Sequence, residues 1–201
     1  MGAEKIQIVE GRTLPLRGED MDTDRIMPAR FLKSITFEGL ETHVFEDDRL
    51  EASRSGRVHP FDEPKYQGAS ILVAQRNFGT GSSREHAPQG LRRWGIRAIV
   101  AESFAEIFFG NSLMIGLACV TASPSDVEKL MSLVERDPTA VLKIDLKAGL
   151  CQAPGMTLPV SIPEHVRDTL MTGAWDTTGL LLDNYDQVNA VSASLPYVSG
   201  F

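Results

Sequence analysis

Residues 69–102, ASILVAQRNFGTGSSREHAPQGLRRWGIRAIVAE, contain the pattern that predicts the fold. The segment opens with the apolar run ASILVAQ and closes with the apolar run IRAIVAE, and short runs of this kind are typical of buried strands. Between them, PQGLRRWG predicts a helix that ends at Gly95. We expect this helix to begin near Pro88, because a proline deeper inside a helix removes a backbone hydrogen bond. Strand, loop, helix and strand in this order indicate a parallel α/β unit.

The same alternation continues on both sides of this unit. SFAEIFFGNSLMIG predicts a helix with Ser103 as its N-cap, LACVTA predicts a third strand, and SPSDVEKLMSLVERDP predicts another helix. Upstream, KIQIVEGRTLPL predicts a strand that stops near Pro15, and residues 41–65 are charged and expected to be irregular. Downstream, AVLKIDLKAGLCQ and MTLPVSIP predict an antiparallel extension, followed by one closing helix. The chain is therefore predicted to be an α/β protein, a single domain over residues 1–201, whose mixed sheet has parallel strands flanked by helices.

Composition narrows the class of function. The chain has 201 residues, of which 42% are hydrophobic and 23% charged, which is typical of a folded domain. A net charge of -7 argues against a general nucleic-acid or membrane-surface binder. The first residues lack the apolar core of a signal peptide and no apolar run is long enough to span a membrane, so we expect a cytoplasmic protein. Cys119 and Cys151 are too few to hold a metal or an iron–sulfur cluster.

Residues 77–88, NFGTGSSREHAP, form the loop after the first buried strand of this unit. They fail three common motifs, because the third glycine of a dinucleotide fingerprint is replaced by Arg84 and because neither GK[ST] nor GxSxG is present. Ser82 and Glu85 have capping-box spacing, so the serine could simply start a helix. Alternatively, Gly79 and Gly81 would let a ligand approach the backbone, while Arg84 offers a planar fork to a carboxylate. In α/β sheets such loops lie where ligands bind, so the residues indicate a carboxylate site without specifying a reaction.

A family resemblance supplies a reaction. GSSREHAP, preceded by NFG and followed by GIRAIVAESFAEIFFGNSLMIGL, resembles the swivel domain of the aconitase superfamily. DTDRIMPARFLK, HVFEDDR and YQGASILVAQRNFG make the chain similar to the small subunits of 3-isopropylmalate dehydratases. The resemblance implies a swivelling β/β/α domain. It also implies a subunit of a hydro-lyase that converts 2-isopropylmalate to 3-isopropylmalate through 2-isopropylmaleate in leucine biosynthesis.

The resemblance also implies roles for individual residues. Ser82 would act as an alkoxide that takes the proton beside a carboxylate, Ser83 would hydrogen-bond the substrate, and Arg84 would bind a substrate carboxylate. Lys33, at the end of DTDRIMPARFLK, would meet the distal carboxylate or the distinguishing group of the substrate, although an ordinary solvated lysine is the alternative. A lysine presents a point charge to a carboxylate, rather than the planar pair of donors that an arginine offers.

Several further residues are expected to shape or support this loop. They are Asn77, Gly79 and Gly81 within it, His86 as a structural residue behind the site, and Asp22, Thr23 and Asp24 on the DTD segment. For the DTD segment, local Asx-type hydrogen bonding explains the residues equally well.

The resemblance finally implies a partner. Chemistry of the aconitase type uses a [4Fe-4S] cluster whose open iron acts as a Lewis acid toward the departing hydroxyl. This chain supplies no metal ligand, so the cluster is expected in a separate large subunit and the chain alone is expected to be inactive. Two alternatives stay open: the subunit of a related homoaconitase, citraconate, methylmalate or dimethylmaleate hydratase, or a noncatalytic module that binds carboxylates or a partner.

Overall fold

Seven strands form one mixed sheet in the computed structural model, which describes residues 4–34, 36–81 and 84–198. The strands are β1 Ile8–Leu16, β2 Ile71–Ala74, β3 Ala98–Ala101, β4 Ala118–Thr121, β5 Val141–Asp145, β6 Leu150–Ala153 and β7 Met156–Pro159. Their order across the sheet is β4-β3-β2-β1-β5-β6-β7.

The first half of the sheet is parallel. β1 pairs with β2, β2 with β3 and β3 with β4, and all three pairings are parallel. The helices that follow β2, β3 and β4 are α3 His86–Trp94, α4 Glu106–Leu113 and α5 Pro124–Arg136. Every residue of β2 and β3 is buried, as expected for parallel strands covered on both faces. The predicted α/β class, with parallel strands flanked by helices, is confirmed.

The second half of the sheet is antiparallel, as predicted. β5 pairs with the first part of β1, from Ile8 to Arg12, and β6 and β7 continue outward from β5. Beyond Arg12, β1 has a strand partner on one side only. Pro15 therefore fits in this part of β1, where a missing backbone N–H is tolerated, and the strand ends one residue later at Leu16.

Two predictions about elements that precede β3 were wrong. Residues 41–65 are not irregular throughout, because α2 Glu46–Arg54 lies within them and its first turn carries three acidic residues that complement the helix dipole. A short helix, α1 Thr23–Ile26, also lies upstream. Helix α3 begins at His86 rather than near Pro88. Pro88 then falls in the first turn, where a backbone N–H has no intrahelical acceptor to bond.

The chain ends in three helices rather than the single closing helix predicted. They are α6 Glu164–Thr172, α7 Thr177–Asp183 and α8 Tyr185–Ser194. Gly173, with φ +84°, ends α6, and the side chain of Asp176 accepts a hydrogen bond from the backbone N–H of Gly179 and starts α7. The indole N–H of Trp175 donates to the backbone oxygen of Glu4 at 2.9 Å. In the part of the chain that the structure describes, no helix has the length and apolar character needed to cross a membrane.

Candidate active site

The candidate site lies at the carboxyl ends of the parallel strands. The loop after β2 runs between the loop that follows β1 and the loop that follows β3. On one side, the N–H of Thr23 donates to the backbone oxygen of Thr80 at 2.7 Å, and on the other side the N–H of Phe78 donates to the backbone oxygen of Ser103 at 3.0 Å. The three loops are therefore joined by backbone hydrogen bonds, which extend the parallel pairing beyond the strands.

Asn77 fixes the start of the loop. Its φ of +56° lies in the left-handed region, which asparagine tolerates better than most residues. Its backbone N–H donates to the Ser103 hydroxyl oxygen at 2.8 Å, and its side-chain amide donates to the Asp20 carboxylate at 2.8 Å. The Asn77 side chain thus ties the start of the loop to the Asp20 carboxylate.

Ser103 is not the N-cap of α4. The helix begins at Glu106 and Ala105 occupies the cap position without a side-chain hydrogen bond. Ser103 instead accepts from Asn77 and from Phe78, so it anchors the β2 loop. Capping-box spacing suggested a role in its own helix, whereas its position just beyond the carboxyl end of β3 was the signal for a role in the site.

The two glycines are required by neighbours within the chain. Gly79 has φ +81°, and a Cβ there would lie 2.2 Å from Cγ of Phe108. Gly81 has φ +101°, and a Cβ there would lie 2.3 Å from Oδ2 of Asp22. Both the left-handed backbone and the lack of space exclude larger residues. Packing against Phe108 and Asp22 therefore requires glycine at both positions.

The DTD segment lies beside this loop and contains an Asx-type hydrogen bond. Asp22 caps α1, and its Oδ1 accepts from the backbone N–H of Asp24 at 2.6 Å. Thr23 is buried at 3% exposure and carries the backbone bond to Thr80. Asp22 and Thr23 therefore position the segment, while Asp24 is free to reach outward.

Arg84 points its guanidinium at Asp24. Nη1 of Arg84 donates to Oδ1 of Asp24 at 3.2 Å, and the two side chains are 44% and 55% exposed. Exposed ion pairs of this kind contribute about 1 kcal/mol or less. A ligand carboxylate that accepts hydrogen bonds from two nitrogens of a guanidinium makes a stronger, bidentate contact. Asp24 therefore pairs with one nitrogen of the Arg84 guanidinium in an exposed and weak contact.

Lys33 lies at the end of a 3-10 turn, Ala29–Lys33, and is exposed. Among the described residues, no hydrogen bond or ion pair joins Lys33 to Arg84 or to the DTD segment. The structure thus brings Arg84, Asp24 and the glycine loop together, whereas Lys33 is an exposed cation with no hydrogen bond or ion pair to these described residues.

His86 is the first residue of α3 and packs edge-on against Phe37, with ring centroids 5.2 Å apart. Both of its ring nitrogens are buried and have no hydrogen-bond partner in residues 4–34, 36–81 and 84–198. The supporting role of His86 behind the site stays a prediction. The proposed base, Ser82, and its neighbour Ser83 lie outside the described residues.

The two cysteines do not fit an iron–sulfur cluster. Cys119 is on β4 and Cys151 is on β6, with four strands between them, which corresponds to roughly 24 Å at the usual strand spacing. Burial raises the pKa of Cys119 to about 12 and that of Cys151 to about 11, so both are protonated thiols at neutral pH. A single cluster cannot bind both side chains.

Comparison with known proteins identifies the family. Residues 3–125 match the model of the aconitase C-terminal domain. A 3-isopropylmalate dehydratase small subunit from Thermus thermophilus is 47% identical over 194 residues, which cover 96% of each chain. The chain belongs to the family of 3-isopropylmalate dehydratase small subunits. The small subunit of Synechocystis is 45% identical over the same share of both chains.

A solved structure agrees with this family assignment. The 3-isopropylmalate dehydratase of Methanocaldococcus jannaschii matches with a TM-score of 0.68 and 25% sequence identity. The match covers 91% of this chain and 99% of that chain. The resemblance inferred from GSSREHAP and its flanks, and the fold that it implied, are both confirmed.

Proposed function

We propose that this chain provides one half of the active site of a 3-isopropylmalate dehydratase, a hydro-lyase of leucine biosynthesis. The reaction removes water from 2-isopropylmalate to give 2-isopropylmaleate and adds water back to give 3-isopropylmalate. Membership in the small-subunit family supports this reaction. The observation that carries the proposal is Arg84, an exposed guanidinium paired with Asp24 beside the loop that contains Gly79 and Gly81.

In this proposal the chain contributes proton transfer and binding of the substrate carboxylates. Ser82 removes the proton from the carbon beside a carboxylate, hydroxide leaves the neighbouring carbon, and the serine returns a proton during rehydration. Ser83 hydrogen-bonds the substrate, and Arg84 binds a substrate carboxylate through two parallel N–H···O hydrogen bonds. Lys33 meets the distal part of the substrate. An ordinary serine is a weak base, so the step needs the positive charge of Arg84 and a site shielded from water.

The second half of the site must come from another protein. Gly81, Arg84, Asp24 and Lys33 are all exposed, so this chain by itself does not exclude water from a bound substrate. The curated relatives are called small subunits, which points to a larger partner subunit. We place the [4Fe-4S] cluster in that partner, because Cys119 and Cys151 are too far apart to share one. We also expect the assembled enzyme to be cytoplasmic and residues 1–201 to act as one swivelling domain.

The test is a substrate panel with the assembled enzyme. The chain is co-expressed without oxygen together with the Fe–S subunit encoded beside it, and the complex is assayed with isopropylmalates, citraconate, dimethylmaleate and homocitrate. We expect turnover of the isopropylmalates. Turnover of citraconate, dimethylmaleate or homocitrate without turnover of the isopropylmalates would refute the leucine-pathway assignment, and a complex without hydratase activity on any of them would favour a noncatalytic module.

Two variants test the assigned roles in the same complex. Ser82→Ala should lower kcat by about 100-fold or more, the usual contribution of a positioned base. Ser53→Ala, an exposed serine on α2, is the matched control and should leave kcat unchanged. Arg84→Lys keeps the positive charge but removes the bidentate guanidinium. KM should therefore rise about tenfold, while the two subunits still assemble. An unchanged kcat in Ser82→Ala would remove the serine from the mechanism.

A further inference from the structure

The helices α7 and α8 carry an apolar groove that the rest of the chain leaves open. Neither helix contains a buried residue among those the structure describes. Leu180, Leu181, Val188 and Val191 line a shallow groove of about 610 Å³ between the two helices, which we call the tail groove. Leu181 and Val191 are each 60% exposed. Contiguous exposed apolar side chains of this kind mark interaction surfaces.

These helices are also poorly supported by the domain. They have seven and ten residues, lengths at which isolated helices are marginal in water. Their preceding segment is anchored by Trp175, which reaches Glu4 and packs against Gly116, whereas the helices themselves contribute nothing to the described core. A helix pair built this way gains stability when a partner covers its apolar face.

The segment that carries the tail groove lies within the region matched to a relative. The alignment with the Thermus thermophilus small subunit covers 194 of the 201 residues and leaves seven unmatched. Since seven residues follow Ser194, α7 and α8 lie within the matched region even if all seven are at the carboxyl terminus. The matched relative is named a small subunit.

The charge of this segment indicates what covers the groove. No lysine, arginine or histidine follows Arg167, whereas Asp176, Asp183 and Asp186 are acidic. A two-fold contact of the groove with a second copy would bring these carboxylates together without a cation. A head-to-tail contact with a basic surface elsewhere on a second copy would recruit further copies, either into a closed ring or into an open filament. A different protein, with apolar residues bordered by lysine or arginine, would fill the groove without repulsion between carboxylates and without recruiting further copies.

We propose that the tail groove docks the large subunit through an apolar segment flanked by lysine or arginine. This inference rests on the proposed function, because it takes the large subunit as the partner. Subunit binding then depends on the tail groove, and proton transfer depends on the loop that contains Ser82. A variant can therefore lose subunit binding and keep proton transfer, or the reverse.

The experiment measures subunit affinity in solution without substrate. The full-length chain carrying Leu181→Asn and Val191→Asn is titrated against the purified Fe–S subunit, and the dissociation constant is compared with that of the wild type. We expect about tenfold weaker binding or more, as found when apolar anchors of an interface are removed. The matched control carries Leu50→Asn and Val58→Asn, exposed at 46% and 61% on another part of the surface, and should bind as the wild type does.

Two further measurements test the docking role of the tail groove. Asp186→Lys should also weaken binding and reduce its dependence on salt, because it places a cation opposite the lysine or arginine of the partner. At saturating Fe–S subunit, the groove variant should recover the wild-type kcat. All variants should keep the wild-type urea midpoint, since the altered side chains are exposed.

Four outcomes separate this inference from the proposed function. Wild-type affinity in the groove variant would overturn the docking role alone. So would a wild-type chain that sediments as a dimer and becomes monomeric in the groove variant, since a second copy would then fill the groove. A wild-type chain that fails to bind the Fe–S subunit would overturn both proposals. Normal binding by Ser82→Ala with loss of turnover would support both.

Discussion

Gly79→Ala should destabilise the chain by more than its backbone conformation alone explains. An alanine at φ +81° costs about 1–2 kcal/mol in the left-handed region. Its Cβ would also lie 2.2 Å from Cγ and 2.5 Å from Cβ of Phe108, a side chain that is 1% exposed and packed edge-on against Phe78. Overpacking of a core costs about 1–3 kcal/mol, so the total is roughly 2–5 kcal/mol.

The measurement is equilibrium unfolding of the chain in urea. Gly68→Ala is the matched control, because Gly68 has φ +79° and a Cβ there would have nothing within 4 Å. It should therefore cost only the backbone term of about 1–2 kcal/mol. The change in the unfolded state is the same in both variants and cancels in the comparison.

The difference between the two variants isolates the contact with Phe108. The Cβ of Phe108 is itself too close, so turning the ring cannot relieve the clash and the loop or α4 must shift. Gly79→Ala should accordingly also lower the activity of the assembled enzyme. Equal unfolding free energies for the two variants would refute the packing of the loop against α4.

Three other predictions follow from the described contacts. Ser103→Ala removes the acceptor of the Asn77 backbone N–H and should lower the unfolding free energy by about 1–3 kcal/mol in urea; a midpoint equal to that of wild type would contradict the anchoring role. Hydrogen bonds from Arg17, then from Ser132, lower the pKa of Glu128 from 4.5 to about 2, so their stabilisation is present above pH 4.5 and is lost as the pH falls toward 2. Arg17→Gln should therefore show a shallower fall in stability between pH 4.5 and 2, and an unchanged pH profile would speak against this contact. Cys119 and Cys151 should resist a thiol reagent at pH 8 until the chain is denatured, when two equivalents should react, and rapid labelling of the native chain would contradict their burial and raised pKa values.

The sheet could be predicted from the sequence because its strands carry a strong local signal. β2 and β3 are continuous apolar runs followed by helical segments, and the pattern alone distinguishes the parallel half from the antiparallel one. The start of α3 could not be predicted as well. Pro88 is tolerated anywhere in the first turn, so its presence left the starting residue undetermined.

The site was predicted only in part. The motif marked Arg84 as a carboxylate-binding group, and the structure gives it a partner in Asp24, 60 positions away along the chain. The roles of Ser103 and Phe108 depend on which loops the sheet order places side by side, and local spacing contains no information on that. The open face of α7 and α8 was likewise hidden, because apolar helical residues usually predict burial.

The most direct test of an active site shared between two subunits is the rate at which the separate and the mixed subunits hydrate 2-isopropylmaleate. The chain alone and the Fe–S subunit alone should each be inactive, and the rate should rise with added chain until the Fe–S subunit is saturated. Ser82→Ala should then act as a competitor, because it docks without transferring the proton, and should lower the rate of the wild-type mixture. Full activity of either subunit alone would contradict the shared active site.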